Sequence, residues 1–224
     1  MKIVINSHIR SEKAITHLLK SMRANKDFYD FNIIIFIGGH YNESGYNVNT
    51  NENITYIKCN HNSIDFTSLI GLLEIYESKL FDYILDDYYF YMHDTCKIGK
   101  NFFNKISSIN LENVSSLRIK KIFSMNIGVY SQKIINDFKN FLLTKKNTEE
   151  NRCMEFKSIN NQEDYIFDND ENNKTIEDYN NNIRVYKNPV NYYNNGTMRI
   201  VEYYPNIDLY KIKANWNQGW TLEN

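Results

Sequence analysis

The 224-residue chain carries 26 Lys and Arg against 27 Asp and Glu, a net charge of -1 at pH 7. It therefore lacks the basic excess by which nucleic-acid proteins grip phosphates. Cys59, Cys96 and Cys153 are odd in number, far apart and without a Cys-x-x-Cys pair, which excludes a disulfide framework and an ordinary zinc site and reads as reduced thiols.

Lys2–Ile5 is a short apolar strand that breaks into Asn6-Ser7-His8, and Ser11-Glu12-Lys13-Ala14 then starts a helix with Ile15, Leu18, Leu19 and Met22 on one face. Phe31–Ile37 is the clearest buried strand and leaves the sheet through Gly38-Gly39-His40. Tyr41–Asn53 reads as a polar loop. A third strand, Ile54–Cys59, runs into Asn60-His61-Asn62-Ser63, and a helix follows with Phe66, Leu69, Ile70, Leu73 and Tyr76 on its apolar side, capped by Ser63 or Asn62.

Tyr88–Met92 is rich in aromatic residues with no polar alternation, the pattern of a strand buried on both faces. It ends abruptly in His93-Asp94-Thr95, and a helix near Lys100–Ile109 carries Phe102, Phe103 and Ile106. Leu117–Ile122 and Ser124–Tyr130 read as strands, and Lys133–Leu143 as one amphipathic helix closed by Lys145-Lys146. Asn147–Asn182 turns to Asn, Asp and Glu; Asn160–Phe167 keeps a helix-like apolar stripe and Asp168–Asn182 reads as a solvated loop. Met198–Tyr204 and Leu209–Trp216 supply a further strand and a segment closing over the sheet edge. This order predicts an α/β sandwich with a mostly parallel sheet. No Gly-x-Gly-x-x-Gly follows a strand, which argues against a conventional dinucleotide site. No apolar run is long enough for a signal peptide or a membrane span, so a soluble cytoplasmic protein is expected.

Open α/β sheets bind ligands outside the carboxyl ends of their strands. His93-Asp94-Thr95 sits at such an end: a carboxylate is a hard oxygen ligand for a divalent cation, and substrate phosphates complete the sphere. The alternative is that Asp94 caps the next helix. Asp86-Asp87 is a competing acidic pair at the start of the strand. Asn6, Ser7 and His8 with Arg10 close the first strand, where amides and hydroxyls can hold a nucleotide base or ribose and an arginine a phosphate; helix capping by Ser7 or Ser11 is an equally good account. Asp65 stands just inside the second helix, placed either for ribose hydroxyls or for the helix dipole. Gly128, after Asn126, marks either close approach of a ligand or a bulge. Glu163-Asp164 opens an apolar helical stripe, so one carboxylate can serve as a general base; His17 reads as structural.

Ile5-Asn6-Ser7-His8-Ile9-Arg10, Tyr91-Met92-His93-Asp94-Thr95-Cys96 and Asn161-Gln162-Glu163-Asp164-Tyr165 together resemble small GT-A type glycosyltransferases of large DNA viruses, including those of chlorella viruses, over Lys2 to about Phe167. The abundance of Asn, Ile, Lys and Tyr, typical of an AT-rich genome, agrees with a giant virus. The resemblance implies one GT-A domain over residues 1–224, with 1–95 the nucleotide-sugar half and 96–224 the acceptor side and closing segment. It implies a UDP-sugar donor, a glycan or glycoprotein acceptor, Mn2+ or Mg2+ as cofactor, no nucleic-acid partner, and a place in the host cytoplasm or virus factory. Carried over, Asp94 and His93 hold the metal, Ser7, His8, Arg10, Asp65 and His93 the donor, and Asn126 and Gly128 the donor sugar or acceptor. Glu163 or Asp164 becomes the base of an inverting displacement. The chain departs from the family's Asp-x-Asp, having Met92-His93-Asp94-Thr95, which implies weak metal affinity or none. Two rival classes stay open: a non-catalytic or degenerate nucleotide-sugar binder, and a nucleotidyltransferase, whose usual Gly-rich loop Asn6–Arg10 lacks.

Overall fold

The computed structural model describes residues 1–119, 125–147, 173–175, 184–187 and 198–214, with backbone alone at 173–175, 184–187, 198–200 and 213–214. The chain divides into two compact units, one of Met1–Ile9, Phe31–His93 and Leu111–Thr175, the other of Arg10–Asp30, Asp94–Asn110 and Ile176–Asn224.

The first unit is built on a mixed sheet. Its strands are β1 (Lys2–His8), β2 (Ile33–Gly38), β3 (Tyr46–Asn51), β4 (Ile54–Cys59), β5 (Tyr88–His93), β7 (Ser116–Arg118), β8 (Ile127–Ser131) and β9 (Asn173–Thr175). They lie in the order β3-β4-β2-β1-β5-β8-β7-β9. The central ladders β4–β2, β2–β1 and β1–β5 are parallel, as is β7–β9, while β3–β4, β5–β8 and β8–β7 are antiparallel. The fold is thus the expected α/β class, with a mostly parallel mixed sheet. Helix α2 (Thr67–Ser78) packs on it, and α4 (Gln132–Asp137) and α5 (Lys139–Thr144) follow β8. Apolar residues of β1, β2, β4 and α2, among them Val4, Phe36, Ile57, Leu69 and Leu73, share one core with Tyr91 and Tyr130. α2 lies so close to the sheet that a Cβ on Gly71 would run into the Phe36 ring.

The second unit holds α1 (Glu12–Arg23), α3 (Phe102–Ser107) and a four-stranded antiparallel sheet in the order β10 (Arg184–Lys187), β11 (Met198–Tyr204), β12 (Leu209–Ala214) and β6 (Cys96–Ile98). A Cβ on Gly99 would collide with the Asp208 carboxylate, whose oxygens accept from Asn101 N and Tyr203 Oη.

Several expectations need correcting. β1 does not break at Asn6; it runs to His8, because the parallel ladder with β2 continues through Ser7 and His8 and its backbone pairing outweighs the polarity of those residues, while the ladder with β5 ends at Asn6. The polar stretch 41–53 contains β3, whose alternating, mostly exposed residues suit an edge strand. Cys96–Ile98 is a strand, so Asp94 caps no helix; the cap position of α3 is Asn101. Lys133–Leu143 is two short helices meeting at Phe138. Met198–Tyr204 and Leu209–Ala214 join a sheet of their own instead of extending the large one. Cys59 and Cys96 are free and buried; Cys153 lies outside the described residues.

Candidate functional site

β1 and β5 are parallel neighbours with Asn6 in register with His93, so both end at the same edge of the sheet, beside the start of α2. The loop from β4 reaches that edge through a single turn of 3-10 helix, Ile64–Phe66. Here the structure brings together two of the residues singled out from the sequence: His93 Nε2 lies 3.0 Å from Asp65 Oδ1. Tyr91 Oη donates to the Asp65 carbonyl at 2.5 Å and stands 3.0 Å from the same His93 nitrogen.

The directions of these bonds settle one proton. The Tyr91 hydrogen is spent on the Asp65 carbonyl, and an ionised carboxylate only accepts. Neither neighbour can donate to His93 Nε2, so that nitrogen carries a hydrogen and directs it to Asp65. The second carboxylate oxygen, Asp65 Oδ2, is buried with no hydrogen-bond partner among the described residues, and Ser68 Oγ, one turn along, is in the same condition. Asp65 is only 3 % exposed. A buried unpartnered carboxylate oxygen is costly, and its lone pairs can receive an O–H or N–H.

The backbone that delivers Asp65 is strained. Ile64 has φ +51, a left-handed conformation that a β-branched residue adopts at a cost of about 1–3 kcal/mol. Asn62 Oδ1 accepts its N–H at 3.0 Å, and Asn6 Nδ2 donates to its carbonyl at 2.8 Å. Asn6 Oδ1 then accepts the Ser68 N–H at 2.9 Å, satisfying one of the amides left open in the first turn of α2. Asn62 therefore forms a turn with Ile64, while Ser63, the cap position of the short turn, makes no side-chain capping bond. Sequence reasoning placed Asn6 at this strand end as an amide for a nucleotide, whereas its amide is spent on Ile64 and Ser68, and it missed Tyr91; the run Asn60-His61-Asn62-Ser63 is the signal of a side-chain-stabilised turn, but nothing in it announces a left-handed isoleucine.

The other candidates fall in different places. Ser7 and His8 are buried on β1 in register with Ile37 and Gly38, and Gly39, at φ +92, leaves room for the His8 ring. Gly128 pairs with Tyr91 and with Arg118 in an unbroken register, so no bulge occurs there. A Cβ on it would meet the Tyr130 hydroxyl at 2.6 Å and the Leu117 carbonyl at 2.9 Å, so its close approach is to the protein itself. Asn126 is buried just before β8. Asp86 and Asp87 precede β5, at the end of that strand opposite His93. Arg10, exposed, and Asp94, 6 % exposed, belong to the second unit. There Thr95 Oγ1 accepts from the buried Lys211 ammonium. Glu163 and Asp164 lie outside the described residues.

For a divalent cation, His93 is spent at Nε2 and offers only Nδ1, so it does not fit as an Nε2 ligand. No group of three or more His, Cys, Asp and Glu among the described residues is placed to hold a metal. Asp94 remains as a carboxylate of the kind a hard cation takes together with phosphate oxygens.

No family model matches the sequence, and no curated protein does. Among solved structures, the glycosyltransferase GlyE of Streptococcus pneumoniae TIGR4 is similar with a TM-score of 0.50 at 10 % identity, over 80 % of this chain and 45 % of that protein. This chain thus spans less than half of GlyE. The galactosyltransferase LgtC, in complex with donor and acceptor sugar analogues, gives 0.43 at 14 % identity over 66 % of each chain. A glycosyltransferase involved in glycosylation of the major capsid of PBCV-1 gives 0.38 at 9 % identity, over 78 % of this chain and 81 % of that one. At such identities the shared property is the fold, which is of GT-A type.

Proposed function

We propose that the chain is a glycosyltransferase that moves a sugar from a nucleotide-diphospho-sugar, a UDP-sugar by preference, to a hydroxyl of a glycan or glycoprotein. The observation that carries this reading is Asp65: a buried carboxylate with one open oxygen, at the carboxyl ends of parallel strands where α/β folds bind ligands, in a fold of GT-A type. A nucleoside offers what that oxygen lacks, in its ribose hydroxyls and ring N–H groups. The likeness of its motifs to viral enzymes supports placing the chain among glycosyltransferases of large DNA viruses, with all 224 residues as one GT-A domain.

In this reading Asp65 orients the nucleoside, with His93 holding the carboxylate. Ser7, His8, Arg10, Asn126 and Gly128 remain donor-side candidates. Asp94 is the oxygen ligand for Mn2+ or Mg2+, and a bound cation supplies positive charge to the leaving diphosphate. Glu163 or Asp164 takes the proton from the acceptor hydroxyl as that oxygen attacks the anomeric carbon, and inversion follows. The test is turnover of a UDP- and GDP-sugar panel with product stereochemistry. Asp94→Ala is expected to abolish transfer; retained activity there, with loss in Asp86→Ala or Asp87→Ala, would move the cation upstream. Glu163→Gln and Asp164→Asn are expected to separate base from neighbour, the base variant losing roughly 10²–10⁴-fold in kcat. Equal mild effects would rule out both as base.

A further inference from the structure

We infer that Asn6 is a positioning residue, assisted by Asn62, whose task is to hold Asp65 at a strained turn with its second oxygen presented to a ligand hydroxyl or N–H. The inference rests on the proposed function only for the identity of that ligand.

A left-handed isoleucine persists only where its surroundings over-determine it, and such strain collects at binding sites. At Ile64 both backbone polar groups are gripped by asparagine side chains from two different segments, Asn62 of the loop and Asn6 of the central strand. The Asn6 amide also holds the Ser68 N–H, so one side chain on a central strand of the sheet clamps both ends of the stretch 64–68. Asp65 lies inside the clamp. Its carbonyl is tied to Tyr91 and Oδ1 to His93, leaving the other side-chain oxygen, Oδ2, buried and unspent among the described residues. If capping α2 were the whole purpose, the serine and asparagine at 62 and 63 could cap it without a strained residue between; instead neither Ser63 nor Phe66, the two cap positions, makes a side-chain capping bond. A carboxylate displaced by an ångström no longer meets its ligand, which is what the double grip prevents.

The experiment uses the full chain carrying Asn6→Ala, Asp65→Asn or both, each checked for folding by circular dichroism and read well below its melting temperature. Asn62→Ala, which frees only the Ile64 N–H, serves if Asn6→Ala does not fold. Binding of UDP, UDP-glucose and UDP-galactose is measured by calorimetry, and the His93 ring nitrogens are followed by NMR without ligand. Asn6→Ala is expected to weaken binding roughly tenfold or more and to add little on the Asp65→Asn background, since it acts through that carboxylate. Without ligand, its His93 Nε2 resonance is expected to move toward the position seen in Asp65→Asn. Unchanged affinity with only a lowered melting temperature, or losses that simply add, would overturn the inference. Should the wild type bind none of the three probes, the UDP-sugar reading fails, and the His93 resonance alone decides the inference: displaced in Asn6→Ala, it stands; unmoved, it falls.

Discussion

His61 and His93 flank the turn at residues 62–66 in different networks, each tied to a carboxylate, but only the carboxylate beside His61 has both oxygens matched. Around His61 a chain of bonds runs without a gap. Asn147 N–H donates to Ser63 Oγ, which lies 2.9 Å from His61 Nδ1; His61 Nε2 is 3.2 Å from Tyr46 Oη, which donates to Glu74, whose other oxygen takes Lys146. The ring nitrogens, hydroxyls and carboxylate oxygens in that chain are matched, and the unmatched atom at its end is the neutral amide oxygen of Asn147. Around His93 the same kinds of group leave Asp65 Oδ2 and Ser68 Oγ unmatched. A fully matched buried network rigidifies; a partly matched one, equally buried, carries an unsatisfied polar group that calls for a partner. The difference separates a histidine whose carboxylate is fully matched from one whose carboxylate has an unmatched oxygen, although both sequences read as polar residues at a strand end.

The largest effect that sharpens this contrast is in pH. Burial, reinforced by Lys146 and opposed by Glu74, lowers the His61 imidazole to about 4 from its ordinary 6.5. The unfolded chain protonates that ring as pH falls below 6.5 while the folded chain does not. Stability is therefore full above 6.5 and is lost progressively as pH falls toward 4, by about 3 kcal/mol. Urea denaturation across that range is expected to show this limb in the wild type and not in His61→Gln; an identical slope in both would mean that the network around His61 does not keep it neutral.

Next comes the helix that both networks share. Gly71→Ala on α2 gains up to about 1 kcal/mol of helix propensity but overpacks against Phe36 at about 1–3 kcal/mol. A net fall in melting temperature is expected; a rise would show that α2 can shift away from the sheet. The smallest effects form a pair of opposite sign. Ser63→Ala opens the His61 network and is expected to cost about 1 kcal/mol, whereas Ser68→Ala removes an orphan hydroxyl and is expected to be neutral or stabilising by up to about 1 kcal/mol in denaturant melts without ligand. The same sign for both would erase the distinction between the networks.

Much of the scaffold was legible in the chain. Ile54–Cys59 coincides with β4, where β-branched and aromatic residues outweigh Lys58, and Tyr88–Met92 lacks only the last residue of β5, because an uninterrupted aromatic run buries itself as a central strand. α1 followed from Leu18, Leu19 and Met22 on one face. β3 was hidden, since an exposed edge strand of Asn and Thr has the composition of a loop. β6 was hidden because three residues show no period; it exists through pairing with β12, more than a hundred residues away. At the candidate site, Asp65 and His93 were identifiable as residue types at strand and helix ends, but their pairing was not. It depends on Ile64 taking a conformation that local propensity opposes, enforced by an asparagine 58 positions earlier.

The most direct test of the central claim, that the open Asp65 oxygen receives a nucleotide-sugar, is the melting temperature of the wild type and of Asp65→Asn against a panel of UDP- and GDP-sugars, with and without manganese. A ligand at a hundred times its dissociation constant stabilises by about 2.7 kcal/mol. The account predicts a clear upward shift with one donor in the wild type and its loss, or a roughly ten- to hundredfold weaker response, in Asp65→Asn, the worth of a hydrogen bond to a charged acceptor. Equal shifts in the two proteins, or none with any donor, would contradict it.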